Sequence, residues 1–245
     1  MINWLNPELN PQLKAGDVDV WLFHMNISQP RIEQFYPLLS AEEKDRSERL
    51  INFIHRKRLI AAHGFMRTVL SLYLQRPAQS LQFVRAHRGK PSLKQAAHEP
   101  GIQFNLSHSH NLAILAVANS QALGIDIEFM NRKHEWKKII HRFFTNTEQS
   151  AIFSLPETQQ EQAFYQVWTR KEAHMKVTGE GLHLGPDQFT VTVPPQAAAF
   201  VENHKQPDER QWFMQDLKLP DTFDEYLSCL SSDQPIEQLT QYLFT

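Results

Sequence analysis

Phe164-Tyr-Gln-Val-Trp-Thr-Arg-Lys-Glu-Ala-His-Met-Lys-Val-Thr-Gly-Glu-Gly-Leu182 reads as an apolar-periodic helix that ends in a glycine turn. Phe164, Trp168, Glu172 and Lys176 follow one another every four residues, so one helix face carries an aromatic stripe that runs into an acid and a base. Aromatic stripes bury, and charge is kept out of them unless it has a partner or a task. Taken alone, Glu172 and Lys176 read first as an ordinary i,i+4 pair on a solvated face, adding about 0.2–0.5 kcal/mol of helix support. The rest of the chain decides between the two.

A second acidic pair lies upstream. Gln121-Ala-Leu-Gly-Ile-Asp-Ile-Glu-Phe129 has the alternation of a strand, with Ile125, Ile127 and Phe129 on one face and Asp126 and Glu128 on the other. The α-carbons of Asp126 and Glu128 are then roughly 7 Å apart, and two such carboxylates repel unless something positive lies between them. Oxygen ligands without cysteine suit a hard divalent cation, Mg2+ with Mn2+ as substitute, rather than a structural zinc. A lone Asp-x-Glu is also a common way to charge a solvated strand edge.

The 245 residues suffice for one large or two small domains. Composition is that of a globular protein, 41% hydrophobic and 21% charged. A formal net charge of -2 offers no global basic field for nucleic acid, so any anion site must be local. The single cysteine, Cys229, excludes an internal disulfide framework and cysteine-rich metal knuckles. The start at Met1 has no basic and apolar leader, and the longest apolar run, Leu112 to Ala118, is too short to span a bilayer. A soluble cytoplasmic protein without membrane or nucleic-acid partners is expected.

From the N-terminus, Val18 to Met25 predicts a strand after the turn-prone stretch Pro11 to Asp17. Ser40-Ala-Glu-Glu43 is a capping box, predicting a long helix whose apolar face is Leu50, Phe53, Ile54, Ala61, Phe65, Val69 and Leu72, ending no later than Pro77. Its other face carries Lys44, Arg46, Arg49, Arg56, Lys57, Arg58 and Arg67, uncompensated by acids from Arg56 onward. Leu81 to Ala86, Ile102 to Leu106 and Leu112 to Ala118 are further strands, the last apolar enough to be central. Arg88-Gly-Lys-Pro91 is a tight turn holding Lys90. Phe104-Asn-Leu-Ser-His-Ser-His-Asn111 joins two strands with hydroxyls, imidazoles and amides that can hold an oxyanion, although by itself it reads first as a hairpin turn with Ser109 and Asn111 as turn formers.

In the second half, Lys137 to Phe144 predicts a short amphipathic helix, and Thr145-Asn-Thr-Glu148 repeats the capping box, which by itself accounts for Glu148. Pro156 precedes the long helix, and Gln188 to Val193, Trp212 to Leu217 and Tyr226 to Leu230 are strands. Element order repeats in the two halves, with a division near residues 119 to 122 and hence units 1–120 and 121–245.

Gly89-Lys-Pro91, Phe104-Asn-Leu-Ser-His-Ser109, Gly124-Ile-Asp-Ile-Glu128, Arg142-Phe-Phe-Thr-Asn-Thr-Glu148 and Trp168 to Leu182 together resemble the 4'-phosphopantetheinyl transferase superfamily. Five motifs in order are specific where any one is weak. Length and two-halved plan resemble the Sfp-type branch rather than the half-size, trimeric branch. The resemblance implies an α+β fold of two similar subdomains related by a pseudo-twofold axis, with coenzyme A in the cleft between a nucleotide-side N-terminal unit and a Mg2+ and catalytic C-terminal one. It also implies transfer of phosphopantetheine to a serine of an apo acyl, peptidyl or polyketide carrier protein by a monomer with an internal pseudo-dimer. By position Asp126, Glu128 and Glu172 match metal ligands. Lys176 matches a diphosphate contact and proton donor, and Ser107, His108 and Lys90 with Pro91 match cofactor contacts. Arg46 and Arg58 fall in the region that grips the 3'-phosphate, and Glu148 matches a proposed general base, a role Glu172 could also take. Two departures stand out: His110 occupies a usual glycine position, and Glu43 falls where relatives often carry lysine. The competing readings are a metallohydrolase built on His108, His110, Asp126 and Glu128, and a carrier-binding adaptor without catalysis.

Overall fold

The structure is a computed structural model that describes residues 4–5, 11–85, 89–94, 101–131, 135–204 and 210–244. Arg88 and Ala86, the ends of two predicted features, and Met1 lie outside the described residues.

The N-terminal unit pairs a sheet with one long helix. Strand β1 (Asp17–His24) leads into helix α1 (Gln29–Phe35) and then α2 (Ala41–Glu48). The predicted capping box at α2 is present, with Ser40 Oγ accepting from the Glu43 amide and Glu43 Oε2 accepting from that of Ser40. The single long helix expected after it is instead two. Asn52 Oδ1 accepts from the amides of Ile54 and His55 and starts α3 (Phe53–Leu74) afresh. Arg56 Nη2 donates to the carbonyls of Glu48 and Leu50, closing the end of α2. The break turns Phe53 and Ile54 outward, 61% and 58% exposed, so they do not belong to the apolar face that Ala61, Phe65 and Val69 bury.

Strands β2 (Phe83–Arg85) and β3 (Pro91–Leu93) form a small hairpin, and β4 (Ile102–Ser109) and β5 (Leu112–Asn119) a long one. The main sheet has the order β11-β1-β5-β4. β5 is buried on both faces, as its unbroken apolar run requires of a central strand. One face packs Trp21, Phe104, Leu115 and Val117 against Ala61, Phe65 and Val69 of α3. The other packs Val20, Leu22, Ile114 and Ala116 against Ile125 and Ile127 of β6 (Leu123–Phe129), so β6 is the joint between the halves.

Helices α4 (Trp136–Phe143), α5 (Asn146–Ser154) and α6 (Glu157–Thr178) follow, with strands β7 (Phe189–Val191), β8 (Phe200–Asn203), β9 (Phe213–Asp216) and β10 (Tyr226–Ser232). β6, β10 and β9 form the second sheet. Gly179, at φ +73°, ends α6 in the left-handed conformation that glycine adopts at little cost. The last strand, β11 (Gln238–Phe244), leaves this unit and pairs parallel to β1 in the N-terminal sheet, with Tyr242 stacked on Trp21 at 4.4 Å. A cut near residue 120 is therefore crossed by the chain's final strand.

Candidate active site

α6 lies directly on β6. A Cβ on Gly124 would sit 2.0 Å from the Ala173 carbonyl oxygen and 2.4 Å from the Val177 amide nitrogen, so only glycine allows the helix this close. The close crossing brings the face carrying Trp168, Glu172 and Lys176 over the Asp126 and Glu128 side of the strand. Lys176 Nζ is 2.6 Å from Asp126 Oδ1, 2.8 Å from Ser107 Oγ and 3.1 Å from the Ile125 carbonyl oxygen. Ser107 Oγ in turn donates to the same Asp126 oxygen at 2.8 Å. Glu128 accepts from Ser109 Oγ at 2.7 Å and is hydrogen-bonded by Trp168. The aromatic stripe and the acid–base pair thus belong to one seam, buried at Phe164 and half-buried at Trp168, Glu172 and Lys176.

Alternation along β4 divides its motif between two faces. Asn105, Ser107 and Ser109 point at β6, where Asn105 Oδ1 accepts from the Ile125 amide and Ser109 Oγ from that of Phe129. These side chains tie two sheets that share no backbone ladder. Ser107 and Ser109 lie within the strand, not in a loop, and Ser109 holds Glu128 rather than forming a turn. Polar Asn105, Ser107 and Ser109 at alternate positions, in a strand that starts with the apolar Ile102 and Phe104, were the signal for it. His108 points the other way, toward α3. Its side chain reaches solvent, yet desolvation by the surrounding protein, followed by the positive charges of Lys176, His63 and Arg58, holds its imidazole below the ordinary value. Arg58 Nη2 donates to Asn111 Oδ1 at 2.9 Å on the adjoining turn.

Electrostatics mark the carboxylates as unbalanced. Desolvation, then the charge of Asp126, lifts Glu128 to about 7, against the pull of Ser109 and Lys176. The same two causes lift Glu172 to about 7. Asp126 Oδ2 is buried and accepts no hydrogen bond. Two carboxyl groups lifted by burial and by the charge of a third, with an orphaned buried oxygen on that third, fit a hard divalent cation. Among the described residues no three His, Cys, Asp or Glu side chains stand converged as a finished metal cage. Here the Lys176 ammonium supplies the positive charge beside Asp126.

Other predicted positions fall elsewhere. Glu148 is fully buried: its oxygens accept from the amides of Thr145 and Val191, and Lys171 Nζ lies 2.8 Å away. With every oxygen engaged inside the core it braces α5, α6 and β7 and has no opening toward a substrate. Lys90 Nζ is turned inward onto the carbonyl oxygens of Leu123 at 2.6 Å and Lys176 at 2.8 Å, and Pro91 is an exposed start of β3. Arg46 is exposed on α2, and among the described residues no hydrogen bond or ion pair joins it to the cluster. His110, at φ +48°, stacks on Phe129 at 4.7 Å and lies 3.3 Å from the Tyr226 hydroxyl. Neither histidine of the His-x-His pair ligates alongside Asp126 and Glu128, which removes the geometric basis of a mixed histidine–carboxylate hydrolase. Glu43, at the position departing from the usual lysine, is tied at 2.8 Å each to His63 Nδ1 and Arg67 Nε.

A family model described as the 4'-phosphopantetheinyl transferase superfamily matches residues 122–231, and one described as 4'-phosphopantetheinyl transferase, N-terminal, matches residues 26–120. The chain is 34% identical to the 4'-phosphopantetheinyl transferase HetI of Nostoc sp., over 73% of this chain and 76% of HetI. It is 31% identical to the 4'-phosphopantetheinyl transferase Sfp of Bacillus subtilis, over 72% and 76% of the two chains. The L-aminoadipate-semialdehyde dehydrogenase-phosphopantetheinyl transferase of Rattus norvegicus is 27% identical over 74% of this chain and 63% of its own. With its two subdomains on one polypeptide, the chain belongs to the 4'-phosphopantetheinyl transferase superfamily, in the Sfp-type branch.

Proposed function

We propose that this chain uses Mg2+, with Mn2+ as substitute, to transfer the 4'-phosphopantetheine of coenzyme A to a serine of an apo carrier protein, releasing adenosine 3',5'-bisphosphate. The observation that carries the reading is the meeting of Asp126, Glu128, Glu172 and Lys176 at one helix–strand crossing, beside Ser107 and His108.

Asp126, Glu128 and Glu172 would hold the metal. When bound, the ion neutralises and orients the diphosphate oxygens on which transfer accumulates negative charge. The carrier serine oxygen attacks the phosphorus that bears the pantetheine, and the bond from that phosphorus to the bridging oxygen breaks. Lys176 lies on the metal side of the cleft, where its ammonium stabilises the departing oxygen or gives it a proton. Glu172, the carboxylate that α6 sets beside the metal position, takes the serine proton as attack proceeds. The fully engaged Glu148 does not. Ser107 and His108 line the approach of the phosphates. Arg58 carries a guanidinium suited to the 3'-phosphate, and Arg46 is its outer companion on α2.

Both sides of the cleft come from one chain, which supports a monomer. No helix among the described residues is long and apolar enough to cross a membrane. We assign the protein to the cytoplasm, with acyl, peptidyl or polyketide carriers as partners and neither membrane nor nucleic acid among them. The test is incubation with Mg2+, coenzyme A and an apo carrier, read by intact mass. Wild type adds one phosphopantetheine per carrier, whereas Asp126→Ala and Glu172→Ala fold but lose at least about 100-fold in rate. Carrier binding without a mass gain would support the adaptor instead.

A further inference from the structure

Lys90 was expected to face the cofactor, yet its ammonium is turned to protein. The carbonyl of Lys176 lies in the last turn of α6, where a helix has no donor of its own, and the Lys90 ammonium caps it at 2.8 Å. The same nitrogen donates at 2.6 Å to the carbonyl of Leu123, the first residue of β6. One cation from the N-terminal unit therefore joins the two elements that carry the carboxylates. The joint sits beside Gly124, where strand and helix already touch. It also sits on the backbone of Lys176, whose own side chain reaches Asp126 and Ser107. A shift of α6 by a fraction of a helical turn would part those contacts while leaving Ser107 and His108 in place on β4. Burial draws the Lys90 ammonium down to about 8, with Asp233 pulling upward and Lys176 downward. A mainly solvated phosphate contact would not carry that desolvation.

We propose that Lys90 is a positioning residue that fixes the register of α6 on β6, and that it does not bind the phosphates of the substrate. This rests on the functional reading above. Lys90→Met and Lys90→Arg, assayed with coenzyme A, Mg2+ and apo carrier, separate the two roles. Expected for Lys90→Met is a fall in kcat of about 100-fold, the scale of a 1 Å misplacement, with KM for coenzyme A unchanged and most of the rate restored in Lys90→Arg. A raised KM with kcat intact would overturn the proposal in favour of a phosphate contact, and wild-type kinetics would overturn it outright. Amide hydrogen exchange over residues 171–180 tests the joint without reference to activity. Faster exchange in Lys90→Met, or in Lys90→Gln should the methionine variant fail to fold, supports it, and unchanged exchange refutes it. Absence of transfer by wild type would count against the functional reading alone, since the exchange experiment would still decide the role of Lys90.

Discussion

Glu43 and Glu172 are both helical carboxylates, and their neighbours drive them in opposite directions. Burial works to raise Glu43, but the hydrogen bond from His63, the amide of Ser40 and the Arg67 guanidinium bring it down to about 2. Burial and Asp126 raise Glu172 to about 7 although Lys176 opposes them. One is a charged strut satisfied by protein partners, the other a carboxylate whose negative charge its protein neighbours leave poorly balanced. The folded-state value of Glu43 lies below its ordinary 4.5. It therefore adds stability above that pH, and the contribution is lost as pH falls from 4.5 toward 2. Urea unfolding across that range should show Glu43→Gln less stable than wild type at neutral pH but with a shallower decline on acidification. Parallel declines would contradict the assignment. The capping role of Glu43 was legible from Ser40-Ala-Glu-Glu43. Its ties to His63 and Arg67, 20 and 24 residues on, depend on how α2 packs on α3 and have no local signature.

At the scale of elements, spacing revealed the helix that matters. Pro156, the aromatic stripe and Gly179 bracket α6 as the sequence implied. The alternation of Gly124-Ile-Asp-Ile-Glu128 placed both acids on one side of β6. The break between α2 and α3 was hidden because Leu50, Phe53 and Ile54 continue a helical apolar pattern, while the Asn52 cap that wins is a single residue. Glu148 shows where spacing alone could not choose: a capping glutamate and a general base look the same in Thr145-Asn-Thr-Glu148. Burial of its pairing with Lys171 separates them. Glu148→Gln leaves Lys171 buried without a counter-charge and should cost about 3–5 kcal/mol of stability, while the folded fraction keeps its turnover. Glu172→Gln should do the reverse, retaining stability and losing transfer. Calorimetry beside the carrier mass assay reads both, and a stable but inactive Glu148→Gln would return the base to that residue.

For the whole molecule, the two-halved plan was visible in element order, and the α+β architecture follows it. What could not be read was β11, which crosses from the second unit to lie parallel to β1. Parallel pairing is set by contacts more than 200 residues apart, and Gln-Leu-Thr-Gln-Tyr-Leu-Phe carries only a mixed, half-buried pattern. That strand and the seam of Asn105, Ser107 and Ser109 on β6 join the halves around the cleft, so the site depends on the closed molecule rather than on either unit. The most direct measurement is a Mn2+ titration followed by electron paramagnetic resonance on wild type, Asp126→Ala, Glu128→Gln and Glu172→Gln. Three carboxylates from β6 and α6 closing on one ion predict a single site in wild type and at least about a tenfold loss of affinity in each variant. Equal affinity in all four proteins would contradict it.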